Sequence, residues 1–507
     1  MASQTESAAS PNVSRNALLS ALAQSAVMIS GGINAVIIGS RYSISAETDG
    51  LFTAFALYSI VLVVSASTRT ALVPRLVDTE RRWRPFDAAL ASLLWGIPAM
   101  LLVFLGLGIP ILSALTTGDT TLATESLLIF APAAVLQLVV AIAAAMFAVL
   151  GDFVAPAKAF AIGGVMSVVA FLALEPAIGL IALPVATLIS STIIALIVLN
   201  GLRRHHWKPR EIRPVSLRAA RPWIATIGLG SGFYVGAQTL YLVSMVFATA
   251  VLAVGNATVY TYAYMTIGLV TAMSSSAGAM ALAAPVAESW SGDPRVVEPV
   301  EDDVTRALSV VLVIVAGIVA TAGAVIATPF LPGFTPTDIN ALVETTVILS
   351  GASLGSAVTI TPLAAMFAAH RYGWIAAVAF AGLPAIAVLT ALLLQVDKSL
   401  VAIALAASLT NFLLAWGVMW LCHGSATPRR IALQLWKIGQ VAIPGAVAFL
   451  LSDQLLSASD AASNVSHLAA AVLGTVLTAA YVSMVLPTSR RLLIRMIQQT
   501  TGLKASQ

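Results

Sequence analysis

The chain holds 507 residues, 59% of them hydrophobic and 9% charged, with 26 Lys and Arg against 22 Asp and Glu and a formal charge of +4. A soluble domain carries about 25% charged residues, so this composition excludes a cytosolic enzyme, a secreted disulfide scaffold and a disordered protein. The single cysteine, Cys422, permits neither an internal disulfide nor a cysteine metal cluster.

In chain order, a polar, Ser-rich tail over 1–14 comes first and contains no apolar core. No cleavable signal peptide is expected there, and the first span serves as an uncleaved anchor. A helix crosses the roughly 30 Å hydrocarbon layer with about 20 mostly apolar residues. Such runs lie at 17–38, 50–73, 87–112, 122–149, 156–174 and 177–199. They continue at 223–253, 257–284, 305–330, 341–369, 374–395, 399–422, 432–456 and 465–486. The pattern predicts an all-α polytopic membrane protein of fourteen transmembrane helices, with both termini on one side. Continuous runs without apolar–polar alternation exclude a membrane β-barrel. Tight hairpins are expected at Glu175-Pro176 and Asp397-Lys398, and residues 487–507 form a second tail.

Lysines and arginines in short loops set the orientation. Of the 26, Arg41 and Lys398 fall on one side, Arg69 lies well within a span, and the other 23 share the side of the termini. Both termini are therefore expected in the cytoplasm, and the protein in the cytoplasmic (inner) membrane. Lys437 is counted here with the cytoplasmic residues.

An internal repeat is the next expectation. Residues 143–161 (AAAMFAVLGDFVAPAKAFA) align without gaps to 363–381 (LAAMFAAHRYGWIAAVAFA), pairing Met146 with Met366, Phe147 with Phe367 and Phe160 with Phe380. Glu125 opens the fourth span as Glu344 opens the tenth, and Pro74 ends the second as Pro285 ends the eighth. The organisation expected is a six-helix half over 15–199, a basic cytoplasmic linker over 200–222, a second half over 223–422 and two further helices over 423–486. The halves are expected to be parallel repeats, the alternative being chance similarity between apolar helices. The linker carries seven Lys and Arg against Glu211 alone, with Trp207 and Trp223 at its edges. It suits anionic lipid headgroups, or is an ordinary positive-inside loop.

Polar residues inside the spans are the candidate site. Arg69 has two readings: a cavity-facing contact to phosphate oxygens through the guanidinium fork, or a side chain that snorkels to the cytoplasmic headgroups. Gln24, Asn34, Gln137 and Gln238, with Asn411, either line a sugar-compatible cavity or make interhelical hydrogen bonds. Tyr234, Tyr241, Tyr260, Tyr262 and Tyr264 offer flat faces for the same cavity. At the outer end Asp49 either pairs with Arg41 as a gate or caps the start of its helix. Glu125 and Glu344 are rim gate residues or simple complements to the helix dipole. Gly31-Gly32 and Gly228, Gly230, Gly232 and Gly236 permit either bending or close packing.

The catalytic inventory is empty. The five histidines, His205, His206, His370, His423 and His467, lack metal-ligand spacing, and no P-loop is present. The acidic run Glu298–Asp303 and the pair His205-His206 are expected in solvated loops. No cofactor, metal or nucleic-acid partner is expected.

The segment Ala46–Asp78, AETDGLFTAFALYSIVLVVSASTRTALVPRLVD, resembles the second-helix signature of the MurJ/MviN-like lipid flippases. Met146–Ala157, MFAVLGDFVAPA, is similar to that family's link between helices 4 and 5. Six, six and two spans also match the family, which belongs to the multidrug/oligosaccharidyl-lipid/polysaccharide (MOP) exporter superfamily. The resemblance implies alternating access, with a polar head passing through a central cavity and a lipid tail beside spans 13 and 14. Two departures stand out. Asn34 falls where a family arginine is expected, and Ile60–Val64 is apolar where paired arginines are expected. A lipid-linked saccharide other than lipid II fits these departures better.

The expected function is therefore a non-enzymatic flippase for a lipid-linked saccharide or envelope-glycan precursor, with envelope-synthesis enzymes as possible partners. The rivals are a multidrug antiporter of the same superfamily and a non-transporting scaffold for envelope synthesis. Spans 1 and 7 lack the carboxylate commonly used for ion coupling, which counts against the antiporter.

Overall fold

The computed structural model describes residues 27–77 apart from 28, then 83–115, 120–208, 215–271, 292–457 and 464–485, with 286 and 290. Gln24, Pro285 and both tails lie outside the described residues. Every regular element among the described residues is helical. The helices are α1 (29–42), α2 (Ala46–Val77), α3 (Trp83–Leu115), α4 (Thr120–Leu150), α5 (Val154–Ile178), α6 (Ala182–Arg204) and α7 (Leu217–Val251). Then come α8 (Asn256–Thr271), α9 (Glu298–Phe330), α10 (Pro336–Ala368), α11 (Tyr372–Val396), α12 (Leu400–His423), α13 (Thr427–Ser457) and α14 (Asn464–Val485). Ten segments are long and apolar enough to span a membrane among the described residues. Two of them, Val154–Arg204 and Leu400–Leu456, each contain two helices joined by a short turn.

The helices outrun the apolar runs because polar residues begin them. Ser216 accepts a hydrogen bond from Ala219 N and starts α7 six residues before the apolar run. Thr335 and Asp338 form a reciprocal capping box at the head of α10, with Pro336 in its first turn. The Asp152 carboxylate accepts from Val154 N and Ala155 N and starts α5. Helix α5 runs through Glu175-Pro176 and ends on Gly179 at φ 59°, so the hairpin expected at 175–176 falls three residues later. The acidic run Glu298–Asp303 is no loop: it forms the first turns of α9, where carboxylates complement unpaired amides. The segment between α6 and α7 shortens to 205–216.

Matching pieces recur along the chain. Helices α5 and α11 are both 25 residues long, and α6 and α12 are 23 and 24. The turns before α5 and α11 share one pattern: Gly151 and His370 have positive φ, and Asp152 N and Arg371 N donate to Phe147 O and Met366 O at 3.0 Å. This register sets Phe147 against Met366, one residue away from the gap-free alignment. Phe160 is buried at 6% exposure while Phe380 is 45% exposed, so those two rings are not equivalent in packing.

Without a hydrophobic drive between helices in lipid, small residues let backbones approach. Helix α2 packs on α4 and α7, α7 on α11, α5 on α6, and α10 on α12. Gly230 of α7 faces Ala71 of α2, while Gly232 and Gly236 face Ala376 and Ala379 of α11. A Cβ at Gly236 would lie 2.9 Å from the Ala379 carbonyl carbon and 2.6 Å from its Cβ. Backbone cannot swing aside as a side-chain tip does. Gly236→Ala is expected to destabilise the fold by about 1–3 kcal/mol, read as a lowered midpoint of thermal unfolding in detergent. Gly228, with open space around it, tolerates alanine in the same assay.

Candidate functional site

The helix ends sort into two sets. One end of the bundle, here the basic end, carries Arg203, Arg204, Arg218 and Arg221, and the opposite end carries Arg41 and Asp49. At the opposite end Arg41 does not pair with Asp49. Its guanidinium meets Glu175 in the last turn of α5, and Tyr42 donates to the same carboxylate at 2.9 Å. Glu175 is buried, so it draws the cation at the end of α1.

Asp49 turns instead to the start of α8. One carboxylate oxygen accepts from Gly255 N at 2.8 Å, and the other from Thr258 N at 2.9 Å and from the Thr258 hydroxyl. A helix start leaves amides without intrahelical partners, and an anion there satisfies them. Asp49 thus caps α8 from a different helix. Around it Tyr262 donates to Ala35 O, Phe52 meets the Tyr262 ring edge-on, and Gly333 lies against Ser43. These contacts tie the opposite ends of α1 and α2 to α8 and to the turn before α10.

Midway along the bundle the uncharged polar residues hold helices together. Gln238 Nε2 donates to Ser59 Oγ at 2.7 Å and Gln238 Oε1 accepts from Tyr264 at 3.0 Å, joining α2, α7 and α8. Asn34 donates to Ser167 at 3.2 Å, and its Oδ1 is buried without a partner. Gln137 donates to Ser191 at 3.0 Å, and Ser65 donates to the Gln137 carbonyl. Asn411 donates to Ala407 O within its own helix. Tyr241, Tyr260 and Tyr262 are buried in the core, and Tyr241 stacks on Tyr264 with ring centroids 4.0 Å apart.

Arg69 is different. Its guanidinium carbon sits 5.0 Å from the centroid of the buried Phe160 ring of α5, a cation–π arrangement. Its Nε is buried without a hydrogen-bond partner, and no carboxylate among the described residues forms an ion pair with it. Lys437 is buried within α13 and paired with Asp302 near the start of α9. Glu125 lies exposed in the second turn of α4 and Glu344 in the third turn of α10, both without an ion pair among the described residues.

At the basic end His205 is no free loop residue. Its Nε2 lies 3.1 Å from Asp152 and its ring meets Phe147 edge-on. Trp207 is buried against Phe86 and donates to Asp87 at 2.9 Å, and Trp95 donates to Val215 O at 2.9 Å. Both ends of the 205–216 segment are thus fixed to the underside of α3 to α5. Burial raises the Asp152 pKa, but the His205 hydrogen bond and the Ala155 and Val154 amides outweigh it and hold the carboxyl below its ordinary value. A depressed carboxyl stabilises above its unfolded pKa and loses that contribution as pH falls through the folded value. Amide-exchange protection at 205–208, corrected for the intrinsic pH dependence of exchange, is therefore expected to fall below about pH 4. Asp152→Asn should abolish that acid-side loss.

Sequence reasoning missed two groups, Glu175 and the cluster around Glu301. The second was readable: Glu298, Glu301, Asp302 and Thr305 share one helix face, as do Arg430, Gln434 and Lys437. The signal vanishes when 298–303 is taken as a loop.

No family model matches the sequence, and no curated protein matches it. Solved structures do match in fold. A lipid II flippase MurJ in an inward closed conformation superposes with a TM-score of 0.70 and 15% identity, over 92% of this chain and 98% of its own. An inward-facing MATE-family multidrug resistance transporter of the MOP superfamily gives 0.62 and 12%, over 82% and 99%. A MOP-superfamily transporter from Pyrococcus furiosus Vc1 gives 0.62 and 15%, over 84% and 97%. The chain has the fold these transporters share and is a multi-pass membrane protein.

Proposed function

We propose that the protein is a MOP-type transporter that moves a lipid-linked saccharide precursor across the cytoplasmic membrane. A charged, sugar-bearing head cannot cross hydrocarbon unaided. In this reading the chain crosses fourteen times, the basic end and both termini are cytoplasmic, and the halves 15–199 and 223–422 rock about a central pathway. The observation that carries the reading is Arg69: a cation without an ionic partner among the described residues, on the second helix, packed on an aromatic face. A free guanidinium within a membrane span is a binding group for an anion, and a lipid-linked saccharide supplies a phosphate.

The Asp49 contacts hold the outer end together, the arrangement a transporter takes while loading from the cytoplasm. Gln137, Gln238 and Asn34 sit between Arg69 and that closed end and would meet the sugar once the halves part. Glu125 and Glu344 stand at the outer rim. Exposed Arg203, Arg204, Lys208, Arg218 and Arg221 around the 205–216 segment suit anionic headgroups. The multidrug-antiporter reading shares the fold, yet α7 and the described part of the first helix hold no carboxylate for ion coupling.

The deciding experiment is mass spectrometry of the lipid that co-purifies with the protein. A polyprenyl-phosphate-linked saccharide supports the proposal, and only bulk phospholipid, with transport of organic cations, supports the antiporter. Topology is checked separately. A cysteine at Thr335 should react with an impermeant thiol reagent from outside and one at Ser216 should not. Outside labelling at Ser216 reverses the orientation.

A further inference from the structure

A second charged cluster lies away from this pathway, between α9, α12 and α13. Glu301, in the first turn of α9, meets His423 Nε2, on the last residue of α12, at 2.9 Å, and both side chains are 1% exposed. Its other oxygen lies 3.0 Å from Arg430 and accepts from Gln434 at 2.8 Å, both on α13. Asp302 accepts from Arg430 at 2.9 Å and from Gln434 at 2.8 Å, and pairs with Lys437. Glu298 reaches Arg430 at 3.4 Å from the more exposed rim. One short stretch of α9 therefore ties down the end of α12 and three successive turns of α13.

The seam continues inward as packing. Val310 and Val313 of α9 bury against Val441 of α13. Gly445 lies against Val313, and Phe449 fills the space left by Gly317 of α9 and Gly474 of α14.

We infer that α13 and α14 are fastened to the second half as one rigid body, with Glu301 as the fastening residue. They travel with α9 while the halves rock; only that clause rests on the transport proposal. Parting α13 from α9 would strip Glu301, Arg430 and Lys437, at 1%, 7% and 5% exposure in the assembled seam, of the partners that satisfy them there. The Asp49 contact to α8 is smaller: one carboxylate on two backbone amides and one hydroxyl.

The test is a disulfide across the seam, Val313→Cys with Gly445→Cys, in a Cys422→Ala background. Fluorophores on unnatural amino acids at 47 and 335 report the distance between the outer ends of the two halves. The inference expects the same set of distances before and after the disulfide forms. A disulfide that collapses two populations into one overturns it, because α13 then has to leave α9 during the cycle. If a single population exists even without the disulfide, the rocking reading falls and the fastening is judged by amide exchange. Glu301→Gln, or Arg430→Gln should the first fail to fold, is then expected to raise exchange in α13 and α14 about tenfold. Exchange in α4 to α6 should not move. Unchanged exchange in α13 overturns the inference.

Discussion

The Arg69→Ala variant is expected to bind the lipid-linked phosphate about 10- to 150-fold more weakly per folded molecule, the equivalent of a charge-assisted hydrogen bond worth about 1.5–3 kcal/mol. Lys437 and Arg430 are buried too, but each has a carboxylate within the protein. Arg69 has the Phe160 face and no ion-pair partner among the described residues, so the proposed function gives its charge to the phosphate. Arg69→Lys keeps the charge and loses the planar fork, so a bidentate contact predicts partial loss. A side chain that merely snorkels predicts full function for lysine, and lowered abundance for alanine. Lipid binding and protein abundance measured on both variants separate the two. Unchanged binding per folded molecule in Arg69→Ala would falsify the phosphate contact. Phe160→Leu should weaken binding less than Arg69→Ala, since it removes the platform and leaves the charge.

Removing the Asp49 carboxylate is expected to shift the protein toward the form open at its outer end. Asp49→Ala strips the cap from α8, a loss of about 0.5–2 kcal/mol for such a cap. That corresponds to roughly a 2- to 30-fold change in the ratio of the two forms. Asparagine keeps one accepting oxygen and sets an NH2 against the other amide donor, so Asp49→Asn should shift the protein the same way as Asp49→Ala, but less. The readout is the distance between positions 47 and 335, with accessibility of a cysteine at Thr258 as a second probe. If Asp49→Ala leaves both unchanged, the contact with Gly255 and Thr258 is a static cap. Thr258→Val, which removes a hydroxyl donor and keeps the amide, should give a smaller shift in the same direction.

Much of the helix order was legible because membrane insertion obeys local arithmetic. An apolar run of about 20 residues declares itself whatever its neighbours do. Helix limits were less legible, because a run's apolar extent is shorter than the helix that polar caps begin. Ser216, Asp152 and the Glu298–Asp303 run all start helices outside the hydrocarbon-like stretch. The candidate site was only half readable. Arg69 and Asp49 were singled out by type and position, yet the partner of Asp49 lies more than two hundred residues away on α8. Glu175 passed for a hairpin residue, because Glu-Pro beside a short polar break looks the same whether or not a distant arginine covers it.

By itself the sequence determined the solvent, the class of fold and the sense in which the basic residues gather at one end. Each depends on composition and on the reach of a single helix. Only the tertiary structure decided which polar groups pair with one another. It paired Arg41 with Glu175, gave Asp49 to the start of α8, gathered Glu301, His423, Arg430 and Lys437 into one buried seam, and left Arg69 on Phe160. Inside a bundle with little water a charge must find its partner among helices that pack nearby, and packing, not sequence separation, sets which helices those are.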